Sequence, residues 1–262
     1  MNQTELEFSG ECIAVTGAAS GIGAAVTRQL LAQGARVIAL DLDAEGLTRL
    51  GDADSQERLS CHLVDVSNAQ AVNLALDQGQ AKLGAIQRLA CVAGMLQMGR
   101  IAELSNEQWD RVFAVNTTGV FNVCRHVAQG MMERRQGAIV TVSSNSAATP
   151  RIAMGAYAAS KAAVTQLSRC LGLELAEYGI RVNIVSPGST DTAMQQAMWK
   201  QGSSRETVIA GSGEHYRLGI PLQKIATPEE VAQAVLFLLS DRASHITLSD
   251  LRVDGGATLD QG

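Results

Sequence analysis

Tyr157 and Lys161 stand four residues apart in the run Tyr157-Ala158-Ala159-Ser160-Lys161. On a helix, residues i and i+4 share a face, so the ammonium can lie beside the phenol. A positive charge held there favours the phenolate and lowers the tyrosine pKa, giving a base that works near neutral pH. Ser144 lies thirteen residues upstream, after the apolar run Ala138-Ile139-Val140-Thr141-Val142. That run reads as a buried strand delivering the serine hydroxyl at its carboxyl end. A base and a hydroxyl meeting at one alcohol oxygen can move its proton while hydride leaves. A Tyr/Lys pair alone also suits an ordinary solvated helix face; a second signature earlier in the chain favours the chemistry.

That signature is Val15-Thr16-Gly17-Ala18-Ala19-Ser20-Gly21-Ile22-Gly23. It follows the apolar stretch Cys12–Val15 and precedes Ala24–Leu31, whose spacing suits an amphipathic helix. Gly17 can take a tight turn, and Gly21 and Gly23 let backbone approach a pyrophosphate at the helix N-terminus, where unpaired N–H groups favour negative charge. The spacing is Gly-x-x-x-Gly-x-Gly rather than Gly-x-Gly-x-x-Gly. Asp41 follows a second apolar run, Ala35–Leu40, a little over twenty residues beyond the glycines. A carboxylate there accepts from both ribose hydroxyls of NAD and repels the 2′-phosphate of NADP. Neither Asp41 nor Leu42 is basic, so NAD is the expected cofactor.

Positioning these groups requires alternating strands and helices. Leu59–Val64 and Arg88–Val92 read as the third and fourth strands, with helices near Ala69–Lys82 and Asn106–Gln129. The alternation predicts right-handed crossovers and a doubly wound parallel α/β sheet (a Rossmann fold), with ligands at the carboxyl ends of the strands. Ile180–Val185 and Leu251–Val253 alternate partly, as an outer strand would. Thr227 followed by Pro228-Glu229-Glu230 is a helix start. Residues 189–220 differ. Thr192–Trp199 suits a short helix with a Met/Trp face, and Gly202–Gly213 is rich in Gly and Ser. This stretch reads as a substrate lid within a single domain spanning 1–262, or else as a docked surface excursion.

On these residues the chain resembles the short-chain dehydrogenase/reductase family, from Gly10 to Leu259. The motifs carrying the resemblance are Thr16–Gly23, Asp65-Val66, Ala93-Gly94, Asn116, Ser144, Tyr157/Lys161 and Pro187-Gly188. It implies a catalytic tetrad of Asn116, Ser144, Tyr157 and Lys161, with Asn116 in a water relay. It also implies a cofactor site of Gly17, Ser20, Gly21, Ile22, Gly23, Asp41, Leu42, Asp65, Val66, Ala93, Gly94, Tyr157, Lys161, Pro187, Gly188, Thr190 and Thr192. Asp65 would hydrogen-bond adenine, and Pro187–Thr192 would hold the carboxamide. One departure is Cys91-Val92-Ala93-Gly94, where the family usually begins with asparagine, which puts a sheet-stabilising hydrogen bond in doubt.

The stretches Thr149–Met154, Ser186–Thr192, Leu218–Leu222 and Ser244–Leu248 resemble a narrower branch of the family. That branch oxidises a dihydroxy-cyclohexadiene carboxylate to a catechol in siderophore biosynthesis. It carries arginine where this chain has Gln97. The resemblance implies a small aromatic-precursor carboxylate as substrate, contacted by Ser144, Arg151, Met154, Tyr157 and Met194. Arg151 is the candidate cation, and it also suits a surface arginine beside a proline turn. Oxidation of an amino-substituted ring such as a dihydro-hydroxyanthranilate, or of another small cyclic alcohol, stays open. So does a noncatalytic nucleotide sensor.

With 262 residues, a net charge of −5 and no Lys/Arg cluster, the chain has room for one sizeable core and no footprint for nucleic acid. Five scattered cysteines, three of them in strands, suggest buried thiols in a reducing compartment. Four histidines show no paired metal spacing, so no metal is expected. The polar, acidic stretch 1–10 is unlike a signal peptide and no apolar run reaches spanning length, which points to the cytoplasm and no membrane partner. Broad apolar faces on Asn106–Gln129 and Tyr157–Tyr178 suggest a homodimer or homotetramer.

Overall fold

The computed structural model describes residues 6–52, 54–199 and 204–259. Parts of the acidic N-terminal stretch (1–5), of the lid segment (200–203, with Gly202) and of the C-terminus (260–262) lie outside the described residues.

Continuous apolar runs build the sheet: β1 (Cys12–Thr16), β2 (Arg36–Asp41), β3 (Leu59–Leu63), β4 (Arg88–Cys91), β5 (Gly137–Val142), β6 (Ile180–Pro187) and β7 (Asp250–Val253). They form one seven-stranded sheet in the order β3-β2-β1-β4-β5-β6-β7, and every pairing is parallel. Burial on both faces is why most of these strands read as unbroken apolar runs. The expectation that Ile180–Val185 is an outer strand is corrected. It lies between β5 and β7, with all but Arg181 buried, and the edge position falls to β7. Arg181 explains the apparent alternation, because its guanidinium caps the carbonyls of Leu238, Leu239 and Ser240.

The intervening helices are α1 (Gly21–Ala32), α2 (Ala44–Thr48), α3 (Ala69–Leu83), α4 (Asn106–Phe113), α5 (Gly119–Arg134), α6 (Gly155–Leu175), α7 (Ala193–Trp199), α8 (Arg205–Ala210) and α9 (Pro228–Leu239). The apolar stripes of α1 and α9 close one face of the sheet. Those of α3, α5 and α6 close the other. Asn68 starts α3 by accepting from Gln70 and Ala71 N–H, and Thr227 starts α9 through a reciprocal bond pair with Glu230. The Gly/Ser-rich stretch from residue 204 onwards is not all loop. Ser204 and Thr207 cap each other reciprocally and start α8.

The stretch Asn106–Gln129 is not one regular helix. Between α4 and α5 the chain makes a π turn over Ala114–Thr118, a local widening frequently found at functional sites.

The cysteine reading holds in part. Cys12, Cys91 and Cys124 are buried, but Cys61 is exposed on the edge strand β3, as is Cys170 on α6. Among the described residues no helix is long and apolar enough to cross a membrane.

Candidate active site

A cleft of about 520 Å³ opens at the carboxyl ends of the strands, where the order reverses between β1 and β4. Every residue that the sequence assigns to cofactor or substrate lines it, and of the tetrad only Asn116 does not.

The glycine turn shapes the β1 end. Gly17 has φ of +65°, and a Cβ there would come within 2.7 Å of the Ala93 backbone. Gly23 answers to a different constraint from the one expected. A Cβ on it would lie 1.9 Å from the Gly17 carbonyl oxygen, so this glycine lets the turn close on its own helix as well as facing the cleft. Thr16 Oγ1 accepts from Val92 and Ala93 N–H at 3.1 Å, which ties the end of β4 to β1. The asparagine absent at position 91 is therefore not the only means of holding this strand end. Cys91 itself turns into the core, its Sγ 3.8 Å from that of Cys124.

At the end of β2, Asp41 accepts from Ala19 N–H at 2.8 Å and Asp43 N–H at 3.0 Å. These bonds fix a carboxylate at the cleft wall without using all its lone pairs. Asp65 is more heavily engaged than the sequence suggests. It accepts from the Ser67 hydroxyl and N–H, and pairs with Arg111 at 3.2 Å. The Ser67 hydroxyl and then Arg111 hold its pKa below the usual carboxylate value against modest burial.

The catalytic candidates are brought together by fastening α6 onto β5. Ser143 Oγ bonds the Lys161 carbonyl at 3.1 Å and Thr165 Oγ1 at 2.7 Å, and Ser168 Oγ donates to Thr141 Oγ1 at 3.0 Å. Ser144 leaves β5 in extended conformation, and its hydroxyl accepts from Ser146 N–H at 3.1 Å and pairs with Ser146 Oγ at 2.9 Å. The same hydroxyl faces the Tyr157 phenol closely enough to lower its pKa.

The expected electrostatics of Tyr157 are corrected. Burial raises the phenol pKa, and the hydrogen bond from Ser144 only partly offsets it. Lys161 Nζ lies 5.9 Å from the ring centroid and donates to the Val142 carbonyl at 2.9 Å. The ammonium is hydrogen-bonded to the strand end rather than to the phenol oxygen. Burial in turn lowers the Lys161 pKa from 10.5 to about 8.

Asn116 is fully buried within the π turn. Its Oδ1 accepts from Met95 N–H at 2.8 Å, while Nδ2 donates to Met95 O and Ser160 Oγ. The side chain therefore clamps the loop after β4, which lines the cleft, to α6. Ser160 passes this on by donating to the Tyr157 carbonyl at 2.7 Å. This places Asn116 as a positioning residue.

The substrate end gathers Arg151, Met154, Met194 and Met198 with Tyr157 and Ser144. Three further lining residues carry no sequence signal: Gln195, Ser146 and Arg217. Gln97 faces a neighbouring recess with Met194 and Met198, not the main cleft. The lid is pinned by Asp191, which meets Arg205 at 3.5 Å and Gln196 at 2.9 Å. Among the described residues, no three His, Cys, Asp or Glu side chains converge on a metal-sized site.

A parallel sheet with a glycine turn, a carboxylate at the end of β2, and Ser, Tyr and Lys at the end of β5 is the layout of a nicotinamide-dependent oxidoreductase. A family profile described as enoyl-(acyl carrier protein) reductase matches residues 17–258, and the chain belongs to the short-chain dehydrogenase/reductase family. It is 48% identical over 261 residues to a 2,3-dihydro-2,3-dihydroxybenzoate dehydrogenase of Bacillus subtilis, covering 99% of each chain. It is 46% identical to the vibriobactin-specific 2,3-dihydro-2,3-dihydroxybenzoate dehydrogenase of Vibrio cholerae, over 95% of this chain and 96% of that one. Among solved structures, a short-chain type dehydrogenase/reductase from Mycobacterium marinum superposes with a TM-score of 0.88 at 30% identity, covering 98% of both chains.

Proposed function

We propose that this chain catalyses the NAD-dependent oxidation of 2,3-dihydro-2,3-dihydroxybenzoate to 2,3-dihydroxybenzoate. The observation that carries this reading is one cleft holding the glycine turn, Asp41, the Ser144/Tyr157/Lys161 set and, at its far end, cationic side chains. Relatives at 46–48% identity bearing that activity in their names support the substrate.

When bound, oxidised NAD would supply a hydride acceptor and a positive charge at the nicotinamide end of the cleft. The cradle fits such a group: Gly17–Gly23 would take the pyrophosphate, Asp41 the adenosine ribose, and Pro187–Thr192 the carboxamide. Asp41 with Leu42 beside it favours NAD over NADP, because a 2′-phosphate would meet a fixed carboxylate.

Ser144 donates to the substrate hydroxyl oxygen and holds it against Tyr157. Tyr157 would take the hydroxyl proton as a phenolate, its burial offset by the Ser144 hydroxyl and by the positive charge of bound oxidised NAD, as hydride leaves the carbon bearing that hydroxyl. The resulting ring ketone tautomerises to the catechol, and aromatisation drives the step towards oxidation. Lys161 fixes the end of β5 and offers its charge to the ribose side of the cleft. Met154 and Met194 pack against the ring faces.

Buried free thiols at Cys12, Cys91 and Cys124 support a reducing cytoplasmic setting. Phe121 on α5 and Leu173 on α6 are 44% and 70% exposed, which supports pairing with a second copy across these helices.

The test is NADH formation with the dihydrodiol, its amino analogue and simple cyclic alcohols. Preferential oxidation of the dihydrodiol is expected. Faster turnover of the amino analogue or of a simple alcohol would overturn the substrate assignment, and equal efficiency with NADP would overturn the cofactor.

A further inference from the structure

Two guanidinium groups share the substrate end of the cleft, and the described residues give neither a counter-ion. Arg151 comes from the loop between β5 and α6, whereas Arg217 comes from the lid segment, more than sixty residues later. Both line the same cavity as Ser144 and Tyr157. Among the described residues, no carboxylate lies within 4.0 Å of either group. The hydrogen bond that Arg217 does make, 3.0 Å to Ser189 Oγ, is to a neutral oxygen.

Electrostatics agree with this arrangement. Burial lowers the Arg217 pKa, and the charge of Arg151 lowers it further. Burial also lowers the Arg151 pKa, against a weaker pull from Asp254. That carboxylate is already occupied, accepting from Asn145 Nδ2 at 3.3 Å and Gly256 N–H at 3.0 Å. Two half-buried cations that sense each other without an anion between them are held at a cost, and a carboxylate would remove it.

The scaffold holds Arg217 in place. Its backbone pairs with Ser212 in a short antiparallel bridge, closed through Tyr216 at φ of +49°. Nearby, Gln195 is 8% exposed and lines the cleft, yet its side-chain nitrogen is buried without a hydrogen-bond partner. Gln195 thus brings to the same cleft a donor with no partner among the described residues.

We propose that Arg217 and Arg151 form a two-sided clamp for the carboxylate of the ring substrate, so that two segments remote in sequence each supply half of the anion site. This rests on the reading above that the substrate is a ring carboxylate.

The test compares wild type with R217A and R217K on the dihydrodiol carboxylate and on the same ring bearing a carboxamide. R217A should raise KM for the carboxylate on the order of 100-fold, with kcat changed only a few-fold. The carboxamide should lose less than threefold in kcat/KM, R217K should restore part of the carboxylate affinity, and the NAD dissociation constant should not move. Equal losses on both substrates, or weakened NAD binding, would assign Arg217 to lid structure or to the cofactor and overturn the clamp. Calorimetric binding of benzoate against benzamide reads the clamp without turnover. If wild type fails to oxidise the dihydrodiol but still prefers benzoate through Arg217, the substrate reading falls and the clamp stands.

Discussion

At the β1 end of the cleft, the shape is set by backbone. Gly17 sits against Ala93, Gly23 against Gly17, and Asp41 is held by two N–H groups before any ligand arrives. The substrate end is built instead from side chains of remote segments. There two cations lie uncompensated, and the Gln195 amide nitrogen lacks a partner. The first region is satisfied without its ligand and the second is not. A wall made of main chain can only be blocked, by adding atoms. A wall made of charges can be retuned one residue at a time, which suits a fold whose chemistry stays fixed while substrates change.

The contrast is sharpest at the junction of the two regions. Tyr157→Phe should lower kcat by about 10³-fold, in the range for losing a general base, while a fluorescence titration finds NAD affinity nearly unchanged. Retained turnover would remove Tyr157 from its role and dissolve the boundary between the two ends.

Gly23→Ala tests the main-chain wall. A methyl 1.9 Å from the Gly17 oxygen should cost about 2–3 kcal/mol of stability and weaken NAD binding, both seen in thermal unfolding with and without cofactor. A variant with unaltered stability would show that the turn is softer than its contacts imply.

Lys161→Met separates stability from activity. The lysine pKa falls from 10.5 unfolded to about 8 folded, so between those values the unfolded chain binds more protons and wild-type stability rises with pH. Below about pH 8 the full burial cost is present. Methionine should therefore stabilise the ligand-free protein at pH 7 by about 2 kcal/mol, after allowing for the lost bond to Val142. The gain should fade between pH 8 and 10.5 in denaturant titrations, and turnover should be largely lost. A gain that stays constant across that window would contradict the burial argument.

Asp41→Ala has the smallest expected effect, a shift of roughly 10- to 30-fold in kcat/KM towards NADP, as for one charge-assisted bond. An unchanged ratio would place cofactor choice elsewhere in the wall.

How far the sequence exposed each region follows from the same difference. Gly17, Gly23 and Asp41 are legible because a strand, a turn and a helix force particular residue types at fixed spacing. Tyr157 and Lys161 are legible because one helix carries both. Arg217 is not, because only the folded lid brings it near Arg151, and nothing local marks it. The electrostatic role given to Lys161 failed for a related reason. The i, i+4 spacing places the two residues on one face, but the Val142 carbonyl, which competes for the ammonium, comes from another strand. The capping pair Ser204/Thr207 is not legible, because it lies in a stretch rich in Gly and Ser with no periodic apolar run after it.

The π turn at Ala114–Thr118 has a consequence for anyone reshaping this protein. A widened turn accommodates one surplus residue in an otherwise regular rod, and Asn116 sits inside it. Deleting that surplus would give a smoother helix by every local criterion. It would also remove the wide turn that holds Asn116, taking the amide away from Met95 and Ser160. Idealisation at this spot would improve the element and unseat the cleft it serves.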